Sequence, residues 1–211
     1  MPQPTRSAMT RLARSDRRLA AAMKRTERYP GFPLKGMPGS ESHYAHLARS
    51  ILYQQLAGKA AATIHGRVCA LTPGRGFPRP PELLKLSEKR LRGAGLSGNK
   101  LAALRDLASR IVSGELNLSG VSRMSDERII ERLVEVRGIG VWTAQMFLMF
   151  RLGRLDVMPT GDLGVQEGLK RLDGLDERPD PATVLERAEV WAPLRSVAAW
   201  HLWRLSDEGK A

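Results

Sequence analysis

Residues Leu133 to Leu172 read LVEVRGIGVWTAQMFLMFRLGRLDVMPTGDLGVQEGLKRL, and the order of apolar, glycine and acidic positions in this stretch decides the fold. It reads as helix, tight glycine turn, very apolar helix, loop, acidic residue, helix. Just ahead of it, Ser125 is placed to cap a helix on which Ile129, Ile130, Leu133 and Val134 form one apolar stripe. In the turn Val136-Arg137-Gly138-Ile139-Gly140, two glycines let the backbone take positive φ or approach another molecule closely. Val141 to Phe150 is apolar almost all round, which predicts a centrally buried helix. Two helices joined by such a turn present backbone N–H groups, at a helix N-terminus, to solvent. That is a place for a phosphate.

Downstream, Asp162 follows Pro159-Thr160-Gly161 and precedes an amphipathic helix containing Val165 and Leu169. Its structural reading is an N-cap, a position that favours aspartate. Its functional reading is a carboxylate at the mouth of a pocket, opposite the hairpin. The two coexist, because a capping aspartate is held rigidly.

The rest of the chain continues the helical pattern. Residues 1–28 hold eight Arg or Lys and two acids with patchy helical spacing (Leu12, Leu19, Met23), and read as a basic arm, a short helix or a disordered tail. Residues 29–40 are rich in proline and glycine and read as an irregular connection. From Ser42, apolar residues recur at helical spacing (Tyr44, Leu47, Ile51, Leu52, then Ala61, Ile64, Val68, Leu71), interrupted at Gly58. The loop 73–81 carries four prolines and two glycines. A short helix is expected over Glu82–Leu86, and Ser87 and Ser97 are placed to cap two more, the second running to about Gly114. Helices are expected over 182–191 and 194–207, with Pro193 starting the last. No segment alternates with period two, so the chain reads as all-α.

Composition narrows the function. A formal charge of +12 and a pI near 10.6 suit a polyanionic partner, with a merely basic solvated surface as the alternative. Cys69, in an apolar helical pattern, is the one cysteine, which excludes a disulfide framework, a cysteine-rich zinc site and an iron–sulfur cluster. No 18-residue apolar run or signal-type segment is present, so an intracellular protein without a membrane is expected. His43 and His46 stand three apart with no carboxylate partner implied, which argues against a metal enzyme. Trp142 and Trp203 are either core residues or faces on which an extruded base stacks. Met146 and Met149 lean to core. Gln54 and Gln55, on the helix Ile51–Leu56, either satisfy nearby backbone groups or touch DNA.

The run Val136-Arg137-Gly138-Ile139-Gly140-Val141-Trp142-Thr143-Ala144, with Asp156-Val157-Met158-Pro159-Thr160-Gly161-Asp162 after it, resembles the helix-hairpin-helix DNA glycosylases. Within them it is most similar to the 3-methyladenine DNA glycosylase II (AlkA-like) branch. The resemblance is strong over about half the chain and looser from Ser42 to Trp203. It implies two helical lobes with a DNA-binding cleft and no N-terminal β domain. One lobe comes from the middle helices, the other from the N-terminal segment and the C-terminal helices. Residues 1–40 are then the arm and connection, and 41–211 the glycosylase domain, with the hairpin at about 126–150.

The resemblance also assigns roles. Asp162 matches the catalytic aspartate. Gly138 and Gly140, with Val136, Arg137 and Thr143 about them, match the hairpin that holds a DNA phosphate. Backbone carbonyls of Val134, Val136 and Ile139 match those that hold a monovalent cation; no other cofactor is implied. Trp142, Trp203 and Met146 line the base pocket, and Gln55, with Gln54 beside it, falls where the family inserts a wedge. Trp142 stands where bifunctional relatives carry their Schiff-base lysine, so β-lyase chemistry is not expected. The implied protein is a monomeric, cytoplasmic, monofunctional glycosylase that excises alkylated purines from damaged double-stranded DNA. A glycosylase for deaminated or etheno bases, or a non-catalytic helix-hairpin-helix DNA-binding protein, are the alternatives.

Overall fold

The computed structural model describes residues 3–32, 41–74 and 76–208; most of the Pro/Gly-rich connection before Glu41 lies outside them. Among these residues the secondary structure is helical, with no strand. The chain divides into two compact units, Met1–Met37 with Leu148–Ala211, and Pro38–Phe147.

The Pro38–Phe147 unit holds α3 (His43–Tyr53), α4 (Gly58–Cys69), α5 (Pro80–Lys85), α6 (Glu88–Gly93), α7 (Gly98–Ser113), α8 (Asp126–Val134) and α9 (Val141–Met146). Serine sets four of the starts. Ser42, Ser87, Ser97 and Ser125 each accept an N–H three residues on, at 3.1, 3.3, 3.3 and 3.4 Å. Gly114, at φ +85°, ends α7 in the left-handed conformation that glycine adopts without strain. Leu47, Ile51, Leu52, Leu104, Leu107 and Ile129 are fully buried and make the core. Burying each is worth about 1.5–3 kcal/mol before the chain's entropy is charged against it.

The other unit contains α1 (Arg6–Ser15), α2 (Arg17–Arg25), a π turn that begins at Phe147 and ends at Arg151, α10 (Leu163–Asp173), α11 (Pro181–Arg187) and α12 (Arg195–Asp207). Its axis is α12, buried almost all round. A Cβ on Gly168 would lie 2.0 Å from the Leu202 carbonyl oxygen, so α10 meets α12 backbone to backbone.

The N-terminal segment differs from the arm or tail read in the sequence. It forms two helices, with Leu12, Leu19 and Ala22 buried. Asp16 caps α2 by accepting the Arg18 and Leu19 amides at 2.9 and 3.0 Å. Its other oxygen accepts from Arg187 at 2.5 Å and from the Trp191 indole at 2.9 Å. Burial alone would raise the Asp16 carboxyl, but the Leu19 amide, Arg187 and Trp191 together hold it below the usual carboxylate range. Arg187 also bonds Asp173 at 2.8 Å. The helical spacing looks patchy because Asp16 ends α1 and caps α2, so the apolar period restarts there.

Candidate functional site

The hairpin is built by the backbone. The Val136 N–H donates to the Leu133 carbonyl at 3.1 Å, and the Ile139 N–H to the Val136 carbonyl at 3.0 Å, closing the turn. Gly138 takes φ +79°, and a Cβ there would stand 3.1 Å from that of Ala103. Gly140 is different from its partner. Its φ is −96°, nothing lies within 4 Å of where its Cβ would be, and it supplies no side chain to cap α9. Gly138 is thus required by conformation, and Gly140 leaves room for close approach.

Two side chains from elsewhere in the unit fix this turn. Asp106 on α7 accepts the Arg137 N–H at 2.8 Å and is itself paired with Arg110 at 3.2 Å. Gln54 donates to the Gly138 carbonyl at 2.9 Å and approaches the Thr143 hydroxyl at 3.4 Å. The sequence pattern had put Gln54 and Gln55 on a helix. Instead α3 stops at Tyr53, and Gln55 follows at φ +55°, the one non-glycine with positive φ among the described residues. The chain leaves helix between Tyr53 and Gly58, where α4 begins. Asp106 was not legible, because an acid on an amphipathic helix has no local mark of what it will bind.

Val141 and Trp142 correct the expectation of a helix buried from its first residue. They are 53% and 47% exposed, whereas Thr143, Ala144, Met146, Phe147, Leu148 and Met149 are buried. An apolar sequence records no difference between the two ends. The exposed end is the one at the turn, together with Arg137, Gly138 and Gly140.

In the other unit, Asp162 is the N-cap of α10. Its Oδ1 accepts the Val165 N–H at 2.9 Å and the Trp203 indole N–H at 2.8 Å. The turn before it is closed by the Asp162 N–H donating to the Pro159 carbonyl at 3.0 Å, and by Gln166 donating to the Thr160 carbonyl at 2.9 Å. Further back, Arg195 grips Asp156 at 2.7 and 2.8 Å, holding that carboxyl below the usual range. Ser196 accepts the Val157 N–H at 3.0 Å and donates to the Arg154 carbonyl at 2.9 Å. The strand of chain leading to Asp162 is therefore pinned at several points. Trp203 stacks on Phe150, with centroids 5.8 Å apart and planes at 20°. Gln166, Arg195 and Ser196 are residues that the sequence did not single out.

Metal ligation at the hairpin would fall to backbone carbonyls. Val134 lies in the last turn of α8, where helix carbonyls lack intrahelical partners, and the Val136 carbonyl carries one hydrogen bond of the two it can accept. Neutral carbonyl oxygens suit a hard cation of low charge, so these residues fit the implied group. No cluster of three or more His, Cys, Asp or Glu suited to a metal occurs among the described residues. His43 and His46 set their rings edge-on to Phe147, at 5.6 and 5.9 Å. Cys69 is half-buried rather than core; its sulfur lies 3.8 Å from the His65 ring, and burial pushes the thiol up, away from reactivity. No helix of the described residues is long and apolar enough to cross a membrane.

The chain is similar to known proteins over most of its length. A family model described as HhH-GPD superfamily base excision DNA repair protein matches residues 48–193. DNA-3-methyladenine glycosylase 1 of Schizosaccharomyces pombe is 38% identical over 164 residues, 77% of this chain and 72% of that protein. The solved structure of an S. pombe 3-methyladenine DNA glycosylase in complex with abasic DNA superposes with a TM-score of 0.79 at 32% identity, covering 97% of this chain and 98% of the other. A DNA-3-methyladenine glycosidase from Bacillus halodurans gives 0.83 at 34% identity, covering 95% and 89%.

Proposed function

We propose, from the premise that this chain belongs to the HhH-GPD superfamily of base excision DNA repair proteins, that it is a DNA glycosylase releasing alkylated purines such as 3-methyladenine and 7-methylguanine. The observation that carries the reading is the setting of Asp162: a carboxylate fixed between a helix N-terminus and an indole N–H.

A base inside a duplex is out of reach, so the nucleotide must be extruded, at a cost of a few kcal/mol that is least for weakened pairs. The hairpin at Gly138–Gly140 takes a backbone phosphate, and the surplus of positive charge supplies affinity that ignores sequence. A monovalent cation held by the carbonyls of Val134, Val136 and Ile139 would add positive charge beside that phosphate. Alkylation at N3 or N7 makes the purine a cation, which leaves without strong protonation. What remains is to stabilise the oxocarbenium-like sugar and to place a water molecule against it, both tasks for Asp162. Trp142, exposed beside the turn, offers a face that attracts a cationic base by about 0.5–2 kcal/mol.

The reaction ends at the abasic site. Schiff-base chemistry requires an amine, and no lysine occurs between Lys100 and Lys170, a span that includes the hairpin, α9 and Asp162. The partner is damaged duplex DNA, and the protein acts as an intracellular monomer on it.

The test is to incubate the protein and its Asp162→Asn variant with DNA methylated at purine nitrogens. Free methylated base and uncleaved abasic DNA from the wild type, with release strongly slowed in the variant, are the expected results. Equal release by both proteins would remove Asp162 from the chemistry. DNA bound without release would favour a lesion outside the alkylpurines, or a binding protein.

A further inference from the structure

The resemblance casts Trp203 as a ring face for an extruded base, but its contacts give it another task. Its Nε1–H points at the carboxylate: the donor lies 2.8 Å from Asp162 Oδ1, the same oxygen that takes the Val165 amide at 2.9 Å. A ring of the protein already covers one of its faces, that of Phe150 at 5.8 Å and 20°. The space round the bond is also reserved. A Cβ on Gly164 would stand 2.9 Å from Trp203 Cδ1 and 3.1 Å from Asp162 Oδ1, so a side chain at this position would force the two apart. One turn along, the backbone approach of Gly168 to Leu202 brings α10 and α12 close enough for the indole to reach the cap of α10.

We propose that Trp203 is a positioning residue for Asp162, acting through its indole N–H, with Gly164 as the residue that leaves room for that bond. The proposal rests on the glycosylase reading above. An indole has one donor and no acceptor, so it meets a carboxylate in a single orientation. The Val165 amide fixes one edge of the carboxylate, and a second donor to the same oxygen, from another helix, restrains its rotation about χ2 further. The consequence is a division of labour. Trp203 serves the reacting carboxylate whatever base is leaving, and so contributes equally to every lesion.

Single-turnover release of 3-methyladenine and 7-methylguanine separates this role from stacking. Trp203→Phe keeps a ring and loses the N–H; it should slow release on the order of 10- to 100-fold, the worth of a hydrogen bond to a charged group. The factor should be the same for both bases within about twofold, with binding to an abasic duplex unchanged, and it should vanish in an Asp162→Asn background. Gly164→Ala should reproduce the pattern in a protein that retains its tryptophan. Different factors for the two bases, an unchanged rate, or additivity with Asp162→Asn would overturn the proposal. If the wild type releases neither base, the glycosylase reading fails, and the Nε1–H resonance of Trp203 decides the rest. Protection from solvent exchange that is lost in Asp162→Ala supports the contact, and protection unaffected by that change refutes it.

Discussion

The starts of α9 and α10 make an instructive pair, because the same backbone feature is finished in opposite ways. At α9 the cap is Gly140, which brings no side chain, and the residues that follow it, Val141 and Trp142, are half exposed. At α10 the cap is Asp162, whose own carboxylate takes the amide of Val165 and then a second donor from Trp203. One helix start is left open to an anion from outside, and the other is closed by an anion of the protein. On the proposed function, the first binds a phosphate through backbone shape. On the same reading, the second uses the charge itself, held in one position by the Val165 amide and the Trp203 indole.

This contrast can be broken or sharpened by experiment. The largest effect should come from Asp162→Asn. Asparagine caps a helix as well as aspartate, so the fold should persist and abasic-duplex binding should change little, while base release falls by about 10²–10⁴-fold. Single-turnover rates set beside equilibrium binding check this split.

The second effect tests the buried polar packing of the unit that carries Asp162. His201 on α12 is fully buried against the Thr26 hydroxyl at 2.7 Å, and burial pushes its pKa down from 6.5 to about 4. The folded protein therefore refuses a proton that the unfolded chain accepts. Stability from this residue is fully present above pH 6.5 and is lost as pH falls from there through about 4. Its size is about 3 kcal/mol. Urea unfolding at neutral and mildly acidic pH should show the loss in the wild type and a reduced loss in His201→Leu.

Gly138→Ala addresses the open helix start. At φ +79° a side chain is strained, and its methyl would crowd Ala103. A cost of about 1–2 kcal/mol is expected, appearing as weaker binding to damaged and undamaged duplexes alike, with base release at saturating DNA unaltered. Fluorescence anisotropy and single-turnover rates separate the two. The smallest effect should be that of Gln54→Ala, which removes the donor to the Gly138 carbonyl. About 0.5–1.5 kcal/mol of hairpin ordering is at stake, and hydrogen exchange of the turn amides is the direct measure.

The two helix starts also differ in how far the sequence disclosed them. The hairpin was legible because glycine spacing and an apolar run are local signals, and the serine caps at Ser87, Ser97 and Ser125 were legible for the same reason: each bond spans three residues. Asp162 was legible as a cap, and the resemblance adds the expectation that it is the reacting group. Its surroundings were not. Trp203 lies 41 residues away, and the Ser196 hydroxyl that fastens the preceding loop lies 39 residues from Val157. The N-terminal segment was left open between arm, short helix and tail because its partners are so far away: Asp16 meets Trp191 across 175 residues. Hydrophobic periodicity also says nothing about which end of an apolar helix is left uncovered, and so Val141 and Trp142 were placed too deep.

The bond between Asp16 and Trp191 has a consequence during synthesis. A ribosome delivers α1 and α2 well before α11 and α12, so the helices that carry Leu12, Leu19 and Ala22 emerge long before the residues that cover them. Contacts so distant along the chain are slow to form, because a large loop must close before any of them is made. Residues 38–147 have their partners close at hand and leave the tunnel in the meantime. Order of assembly should thus run against order of translation: α1 and α2, made before residues 38–147, are seated after them, and the carboxylate of Asp162 acquires its indole only when α12 has arrived.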